Sequence, residues 1–509
     1  SHRTTGDPTL MRTVLRITLY TVAAFLAATV TCGQWNFTVD PSFQTQITQQ
    51  NVGSLLLNED GTLIASGIMR FSGEMSDKRL ARFNLDGARD ETYYNSGLGG
   101  AKLVQWQDRY YVGASQTIRR IQPSGQQDMS FIEMNLGPYF SSLQGGDYHV
   151  YPDGRVLMSG THTLSDVARG FVGNYNLVWF SNTGYLDTTR VHKRGNGPIY
   201  RFGQYADGGF LCSGNASMYE GQPVDKIFRV DSLGVLDTNF QSDVYLGRAV
   251  AFLPLPDGRM YAAGTFWRTD APPESLWLVR FMPDGSLDPT WTAPQLTVPQ
   301  YLLDQDSNAA TIAFLQQWGT DGSVVACGQF NGVNGQERWG ICVLDSTGAV
   351  LPPFNNCEIG PFTSGSTTNL AVYGLAFTLD SQYVYVHGSY MGFSDGSIDD
   401  PAQAFISRLH VGDISTSIPL QPPSPMPSFR LQPNPASTSV AFNYALNSNV
   451  DQGRIIVRDL SGRTLETIRF SGQEGQRVWD TRDLVAGVYT VEFFNGSDLL
   501  HTEKLIIQP

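Results

Sequence analysis

Seven times along the chain an apolar run meets an aspartate-centred turn and is followed by a second apolar run that ends on a glycine, and this repetition decides what the chain can fold into. The fullest copy is Ala251–Trp291, AFLPLPDGRMYAAGTFWRTDAPPESLWLVRFMPDGSLDPTW. Ala251–Leu255 and Arg259–Gly264 flank Asp257-Gly258, which reads as the two-residue turn of a β-hairpin, both positions of which need positive φ. A polar loop then leads to a third run, Leu276–Phe281, a second Asp284-Gly285 turn and a short tail with Asp288 and Trp291. The unit is a four-stranded meander. Its runs are nearly continuously apolar, as expected of sheets covered on both faces.

The first turns fall at Asp60-Gly61, Asp108, Asp153-Gly154, Asp207-Gly208, Asp257-Gly258, Asp321-Gly322 and Asp380. The strand-ending glycines are Gly67, Gly113, Gly160, Gly214, Gly264, Gly328 and Gly388, a span of 321 residues over six intervals, about 53 each. That period matches propeller blades of four strands. The tails also number seven: Asp40 with Phe43, Asp90 with Tyr93, Asp128 with Phe131, Asp187, Asp237 with Phe240, Asp288 with Trp291, and Phe354. They are out of step with the hairpins, because the first tail precedes the first hairpin and the last hairpin has none. Trp35–Phe43 is therefore expected to supply the outer strand of the last blade, which hides two sheet edges from other chains.

The pattern of a PDG-type hairpin, a strand-end glycine and a second DG turn followed by L-D-x-x-F resembles the delta-60 β-propeller repeat over about Trp35–Ile414. Blade 2 lacks a glycine after Asp108, Asp187 is followed by Arg190 instead of an aromatic residue, and the tail before Phe354 has no aspartate.

In a chain of 509 residues more than one domain is expected. Residues 1–33 read as an upstream translation-start artefact (Ser1–Leu10) followed by a secretory signal peptide: Met11, basic Arg12 and Arg16, an apolar run Ile17–Val30, and Thr31 and Gly33 before a cut at Gln34. Lipidation at Cys32 is the alternative, although Thr29-Val30-Thr31 does not suit it. The propeller fills 34–416. Prolines 419, 422, 423, 425 and 427 make 417–428 a semi-rigid linker. Beyond it, alternating apolar positions (Val440, Phe442, Tyr444; Ile455, Val457; Tyr489, Val491, Phe493; Leu505, Ile507) separated by glycine turns predict a small Ig-like β-sandwich over 429–509. The fold class is thus all-β, a seven-bladed β-propeller followed by that sandwich.

Within the sandwich, Pro433-Asn434-Pro435-Ala436, Ile455–Leu460 with Ser461-Gly462-Arg463, Asp483-Leu484, Gly487-Val488-Tyr489 and Lys504–Ile507 resemble the type A C-terminal sorting domain of the type IX secretion system of Bacteroidota. The resemblance implies Sec export, recognition by the outer-membrane translocon through residues 429–509, and release or attachment at the surface of a Gram-negative cell. No membrane span remains once the signal is removed.

Chemistry is sparser. A net charge of −13 without a basic block excludes phosphate-driven nucleic-acid binding. Cys212, Cys327, Cys342 and Cys357 form no Cys-x-x-Cys pair; export permits disulfides, while buried free thiols account for Cys212 and Cys327 in apolar runs. His149, His162, His192, His387 and His410 share no motif spacing, and Asp304–Asn308 lacks the glycine and distal glutamate of a calcium loop. Asp284–Trp291 misses the spacing of a sialidase Asp-box. No nucleophile elbow, phosphate-binding loop, metal site or cofactor motif is present.

What recurs in every blade is scaffold, so a site belongs to what does not recur. The first-to-second and third-to-fourth turns share one face of a propeller and are short. The second-to-third loops and the links between blades share the other and are long: Ile68–Lys78, Asn215–Asp225, Thr265–Ser275, Thr292–Ala310, Gln329–Glu337, Asn355–Asn369 and Ser389–Gln403. Among the aromatics there, Phe266, Phe330 and Tyr390 recur two residues after the strand-end glycine, whereas Trp267, Arg268, Tyr219 and Phe393 do not. These four are the candidate ligand-binding residues. The expected function is a secreted or cell-surface binding protein for glycan or protein, without catalysis; the alternatives are a polysaccharide lyase or hydrolase on a propeller scaffold and a structural surface protein.

Overall fold

A computed structural model describes residues 35–413 and 428–508, apart from 95–96, 115–116, 133–138, 269–274, 307–308, 460–461, 483 and 497. The signal-peptide and lipidation readings lie outside these residues, as does the linker up to residue 427. The chain divides into two compact units at residue 414.

Seven of the antiparallel sheets in the first unit follow one another in chain order, here blades 1 to 7. Their inner strands are Ile47–Leu57, Leu103–Trp106, Phe140–Val150, Ile199–Gln204, Val244–Pro254, Thr311–Trp318 and Ala371–Phe377. Second strands such as Leu63–Phe71 and Ser323–Gln329 are buried almost throughout, which is why their sequences do not alternate. Blade 7 is completed by the other end of the chain: Trp35–Val39 pairs antiparallel with Ile406–Asp413, from Trp35 opposite Asp413 to Val39 opposite Leu409. Phe37 is fully buried and stacks on Phe354 at 3.8 Å. The Val39 N–H donates to the buried Asp395 carboxylate at 2.6 Å. Gln403 Nε2 donates to the carbonyls of Asp40 and Phe43.

Two local expectations are corrected. In the other six blades the fourth strand shrinks to one bridging pair, such as Phe281 with Leu287, because the chain turns at once into the tail, where Trp291 N–H donates to Asp288 O. The Asp-Gly turn is also not a two-residue loop. Gly258 N–H donates to Leu255 O and Leu255 N–H to Arg259 O, and only Gly258 (φ 87) has positive φ. The loop is Pro256-Asp257-Gly258, a turn closed by a glycine bulge. Asp257 Oδ1 accepts the Arg259 N–H, holding the bulge in place.

The strand-end glycines have a different cause. All but Gly113 face a β-bulge in the inner strand, with register shifts between Val52 and Ser54, Gly145 and Tyr148, Ile199 and Arg201, Ala249 and Ala251, Ile312 and Phe314, and Val372 and Gly374. The bulge brings a carbonyl against the glycine Cα: a Cβ on Gly264 would lie 2.0 Å from Arg248 O, and one on Gly328 2.0 Å from Thr311 O. Gly264→Ala is expected to destabilise the propeller by about 2–3 kcal/mol, read from the urea midpoint at unchanged m-value. A loss below half of that would mean the inner strand shifts freely.

The second unit is a sandwich of strands Ser428–Gln432, Ser439–Arg458, Thr464–Asp480, Gly487–Asn495 and Asp498–Ile507. The first half of Ser439–Arg458 pairs with Ser428–Gln432 and its second half with Gly487–Asn495, so one long strand serves both sides of the core. Val440, Phe442, Tyr444, Ile455, Val457, Tyr489, Val491, Phe493, Leu505 and Ile507 are all buried in one cluster, as the alternation required.

Candidate functional site

The recurrent aspartates are structural; in blades 1, 2, 4 and 5 their partners are arginines eight residues earlier, and across the ring closure Arg408 partners Asp40. The Phe281–Leu287 bridge places Arg280 directly across from Asp288; Arg280 Nε donates to Asp288 Oδ2 at 2.7 Å, with both side chains almost fully buried. The guanidinium lies 5.1 Å from the Trp291 ring centre, donates to Tyr261 Oη at 2.9 Å, and reaches into blade 6 to Ser346 O at 2.7 Å. Arg120 with Asp128 does the same toward Asn182 O, Arg408 with Asp40 toward Leu85 O, Arg82 with Asp90 toward Pro123 O, and Arg229 near Asp237 toward Pro283 O. Burial pushes the Asp288 carboxyl up, but hydrogen bonds from Thr290, Arg259 and Arg280 outweigh it and hold the group below the usual carboxylate range. In blade 3 Trp179 stands in the arginine position, donating to Tyr151 Oη at 3.1 Å; in blade 6 it is Val343. These are the two blades whose tails depart from the repeat. The eight-residue spacing was present in the sequence and would have revealed the arginines.

The four candidate ligand residues separate. Tyr219 and Phe393 belong to the core: Tyr219 is fully buried, with its hydroxyl donating to Gly234 O at 2.7 Å, and Phe393 packs against Tyr390. The reason is that the long loops are themselves folded. Met218–Tyr219 pairs with Gln222–Pro223, Leu296–Thr297 joins Gly332–Val333 and Gln336–Glu337, and Glu358–Gly360 joins Met391–Ser394 and Asp399–Asp400. These small sheets form a second layer over the ends of blades 4, 6 and 7, and the loop aromatics are its interior. Trp267 is half-buried and Arg268 exposed, in one strand. As consecutive strand residues they point to opposite faces, with Arg268 on the side of the buried Phe266, so the structure does not bring them together.

What the structure does bring together lies along the central channel. A cavity of about 650 Å³ is lined by residues of all seven blades, in six of them from the inner strand near its bulge and in blade 2 by residues such as Ala101, Lys102 and Gly113. Small residues such as Gly53, Ala101 and Ala313 alternate there with Phe252, Phe314 and Tyr373. Its charged lining residues are Lys102, Asp147 and Arg201. Lys102 Nζ lies 3.0 Å from Asp147 Oδ1 and donates to Tyr148 O at 2.9 Å. Arg201 donates from Nε to Val250 O at 3.3 Å and from Nη1 to Tyr200 O at 3.1 Å. None of the three stood out in the sequence, because each occupies a position that other blades fill with an uncharged residue.

Four of the five propeller histidines are internal, while His410 is exposed, its Nε2 3.6 Å from Asp40 Oδ2. His162 bonds Ser142 Oγ and Ser159 O, His387 Nδ1 donates to Val52 O at 2.9 Å, and His192 Nδ1 accepts the Trp179 N–H. His149 packs edge-on against Tyr151 and Phe210. Burial lowers all four to about 4. The unfolded chain protonates them near pH 6.5, so their stabilising effect is complete above about 6.5 and is lost progressively as pH falls toward 4. Thermal melts from pH 7.5 to 4.5 are expected to show Tm falling mainly below pH 6.5; a flat profile would contradict their neutral burial. The four cysteines are buried and unbridged, with Cys342 pushed up to about 12 by burial. Gln300–Leu303 forms a single helical turn leading into Asp304, whose Oδ1 accepts from Gln300 Nε2. Among the described residues no cluster of three His, Cys, Asp or Glu side chains is placed to hold a metal ion.

In the sandwich, Asn434 clamps the last strand: its Nδ2 donates to Lys504 O at 2.7 Å and its Oδ1 accepts the Ile506 N–H at 2.9 Å. Pro433 and Pro435 flank it, Gly487 opens the fourth strand, Tyr489 Oη donates to Val485 O, and the Lys504 side chain is exposed.

A family described as a domain of unknown function (DUF5122) beta-propeller matches residues 59–93 and 255–290, and one described as a secretion system C-terminal sorting domain matches 430–508. No curated protein matches the chain in sequence. Similar solved structures include PorZ, an essential surface component of the type IX secretion system of Porphyromonas gingivalis (12% identity, 94% of this chain and 68% of that one, TM-score 0.32). An oligogalacturonate lyase of Vibrio parahaemolyticus (10%, 75% and 97%, TM-score 0.42) and BamB of Moraxella catarrhalis (15%, 74% and 97%, TM-score 0.26) are also similar. Among the described residues no helix is long and apolar enough to cross a membrane.

Proposed function

We propose that this chain, a β-propeller protein that a type IX sorting domain carries through the periplasm to the surface or medium of a Bacteroidota cell, is a non-catalytic binding protein whose ligand, glycan or protein, sits on the long-loop face. The observation that carries the reading is the asymmetry of the two faces. On one, the chain closes the hairpins in short turns such as Pro256-Asp257-Gly258; on the other it builds small sheets from the long loops of blades 4, 6 and 7. A surface elaborated on one side of a rigid ring is what recognition requires and what a plain scaffold does not. Within that face the half-buried Trp267 and the exposed Arg268 are contact residues acting separately, each from its own side of the strand.

The test is binding of the full chain to immobilised cell-surface glycans and outer-membrane proteins. Trp267→Ala and Arg268→Ala are each expected to weaken binding about tenfold, or about 1.4 kcal/mol, with Tm nearly unchanged. Binding unaffected by either change, or mapped to the Asp-Gly face, would overturn the assignment. Turnover of a polysaccharide would favour the lyase or hydrolase reading.

A further inference from the structure

We infer that the central channel is a binding site for an acidic glycan, with Arg201 as the residue that takes the sugar's carboxylate or sulfate group. The inference rests on the reading of the propeller as a binding module, but on neither Trp267 nor Arg268.

The cavity is built from the bulges. Where a bulge inserts one residue, that residue drops out of the ladder, and this happens at Gly53, Tyr200, Val250, Ala313 and Tyr373 at one level of the ring. Peptide groups at these positions stand outside the regular ladder around a single circle, and Arg201 takes two of their carbonyls, those of Tyr200 and Val250. Between them stand the aromatic faces of Phe252, Phe314 and Tyr373. Unladdered amides and carbonyls suit hydroxyl groups, aromatic faces suit the apolar side of a sugar ring, and about 650 Å³ falls in the range of small-molecule pockets, about 300–1,000 Å³. It is too small for a folded domain, which favours a chain end or a short oligosaccharide.

Charge then selects among sugars. Lys102 and Asp147 neutralise each other across the seam of blades 2 and 3. Arg201 stands on blade 4, the next blade after that of Asp147, exposed to the channel, and its hydrogen bonds go to the carbonyl oxygens of Val250 and Tyr200. Among the described residues no carboxylate pairs with it. Elsewhere in this propeller the chain supplies arginines with aspartates, as at Arg280, Arg120 and Arg408. The guanidinium of Arg248 lies 5.1 Å from the ring centre of Tyr200, beside Arg201, and adds positive charge. An uncompensated guanidinium on a channel wall is matched by an oxyanion, which its planar N–H groups bind in bidentate fashion.

The experiment is isothermal titration of the full chain with three oligosaccharides of equal length: a uronate oligomer, a sulfated oligomer and the uncharged counterpart. The expected result is at least about tenfold tighter binding of one acidic oligomer than of the uncharged one, and the better of the two identifies the charged group. Arg201→Gln is expected to remove that preference while Tm stays unchanged, and Arg201→Lys to restore part of it. Equal binding of charged and uncharged oligomers, a preference that survives Arg201→Gln, or no binding of any of the three would overturn the inference. If the channel fails in this way while the full chain still binds cell-surface material through the long-loop face, the proposed function stands without it; if binding is confined to an acidic protein, the ligand class is wrong.

Discussion

Removal of Trp35–Val39 is expected to leave a propeller that no longer unfolds cooperatively and that self-associates. The segment is the only full fourth strand in the ring among the described residues, and it caps the edge of Ile406–Asp413. Without it that edge is free to pair with another chain. The Asp395 carboxylate also loses the Val39 N–H, and the pocket around Phe354 and Trp318 loses Phe37. A single substitution isolates the packing contribution: Phe37→Ala deletes a fully buried ring and is expected to cost about 3–5 kcal/mol. Denaturant titration and sedimentation of both variants check this. A Phe37→Ala loss below 1 kcal/mol, or a monomeric and cooperative deletion variant, would show that the ring closes without the strand.

Asp288→Ala is expected to be about as damaging, at about 3–5 kcal/mol, because it leaves the Arg280 guanidinium buried without a counter-charge. The same change at Asp237 supplies the comparison. There Arg229 stands 3.8 Å away and both side chains are partly exposed, so water replaces the lost partner and the expected cost is about 0–1 kcal/mol. Urea midpoints of the two variants should therefore differ widely although the sequence motif is the same. Equal losses would mean that burial does not set the strength of these pairs.

Much of this fold was legible because its information is local and repeated. Turn aspartates, strand-end glycines and continuous apolar runs mark each blade, and the offset of tails against hairpins places Trp35–Val39 in blade 7. The sandwich was legible by alternation, as Val440, Phe442 and Tyr444 show. What was not legible depends on residues distant in sequence. Tyr219 and Phe393 stand in long polar loops, and only the small sheets that fold over them make them interior. The meaning of Gly264 required the bulge opposite it, and Arg201 became conspicuous only when the channel showed no carboxylate beside it among the described residues. The arginines of the Arg–Asp pairs were within reach, since Arg82, Arg120, Arg229 and Arg280 each precede an aspartate by eight positions.

The positions where those pairs are missing divide the ring into two arcs. Guanidinium bridges join blades 7, 1, 2 and 3 in one series, through Arg408, Arg82 and Arg120, and blades 4, 5 and 6 in another, through Arg229 and Arg280. At the two joints between the arcs rings take part in the packing: Trp179 lies against Gly234 at one, beside the Lys193–Glu220 pair, and Phe37 stacks on Phe354 at the other. Cooling weakens the apolar contacts between the arcs, and acid reaches the same blade 3–4 joint, where the buried His149 packs on Phe210 and His192 accepts the Trp179 N–H. Such a ring has preferred lines of fracture, and the propeller's two terminal strands, Trp35–Val39 and Ile406–Asp413, both in blade 7, lie on the edge of one of them.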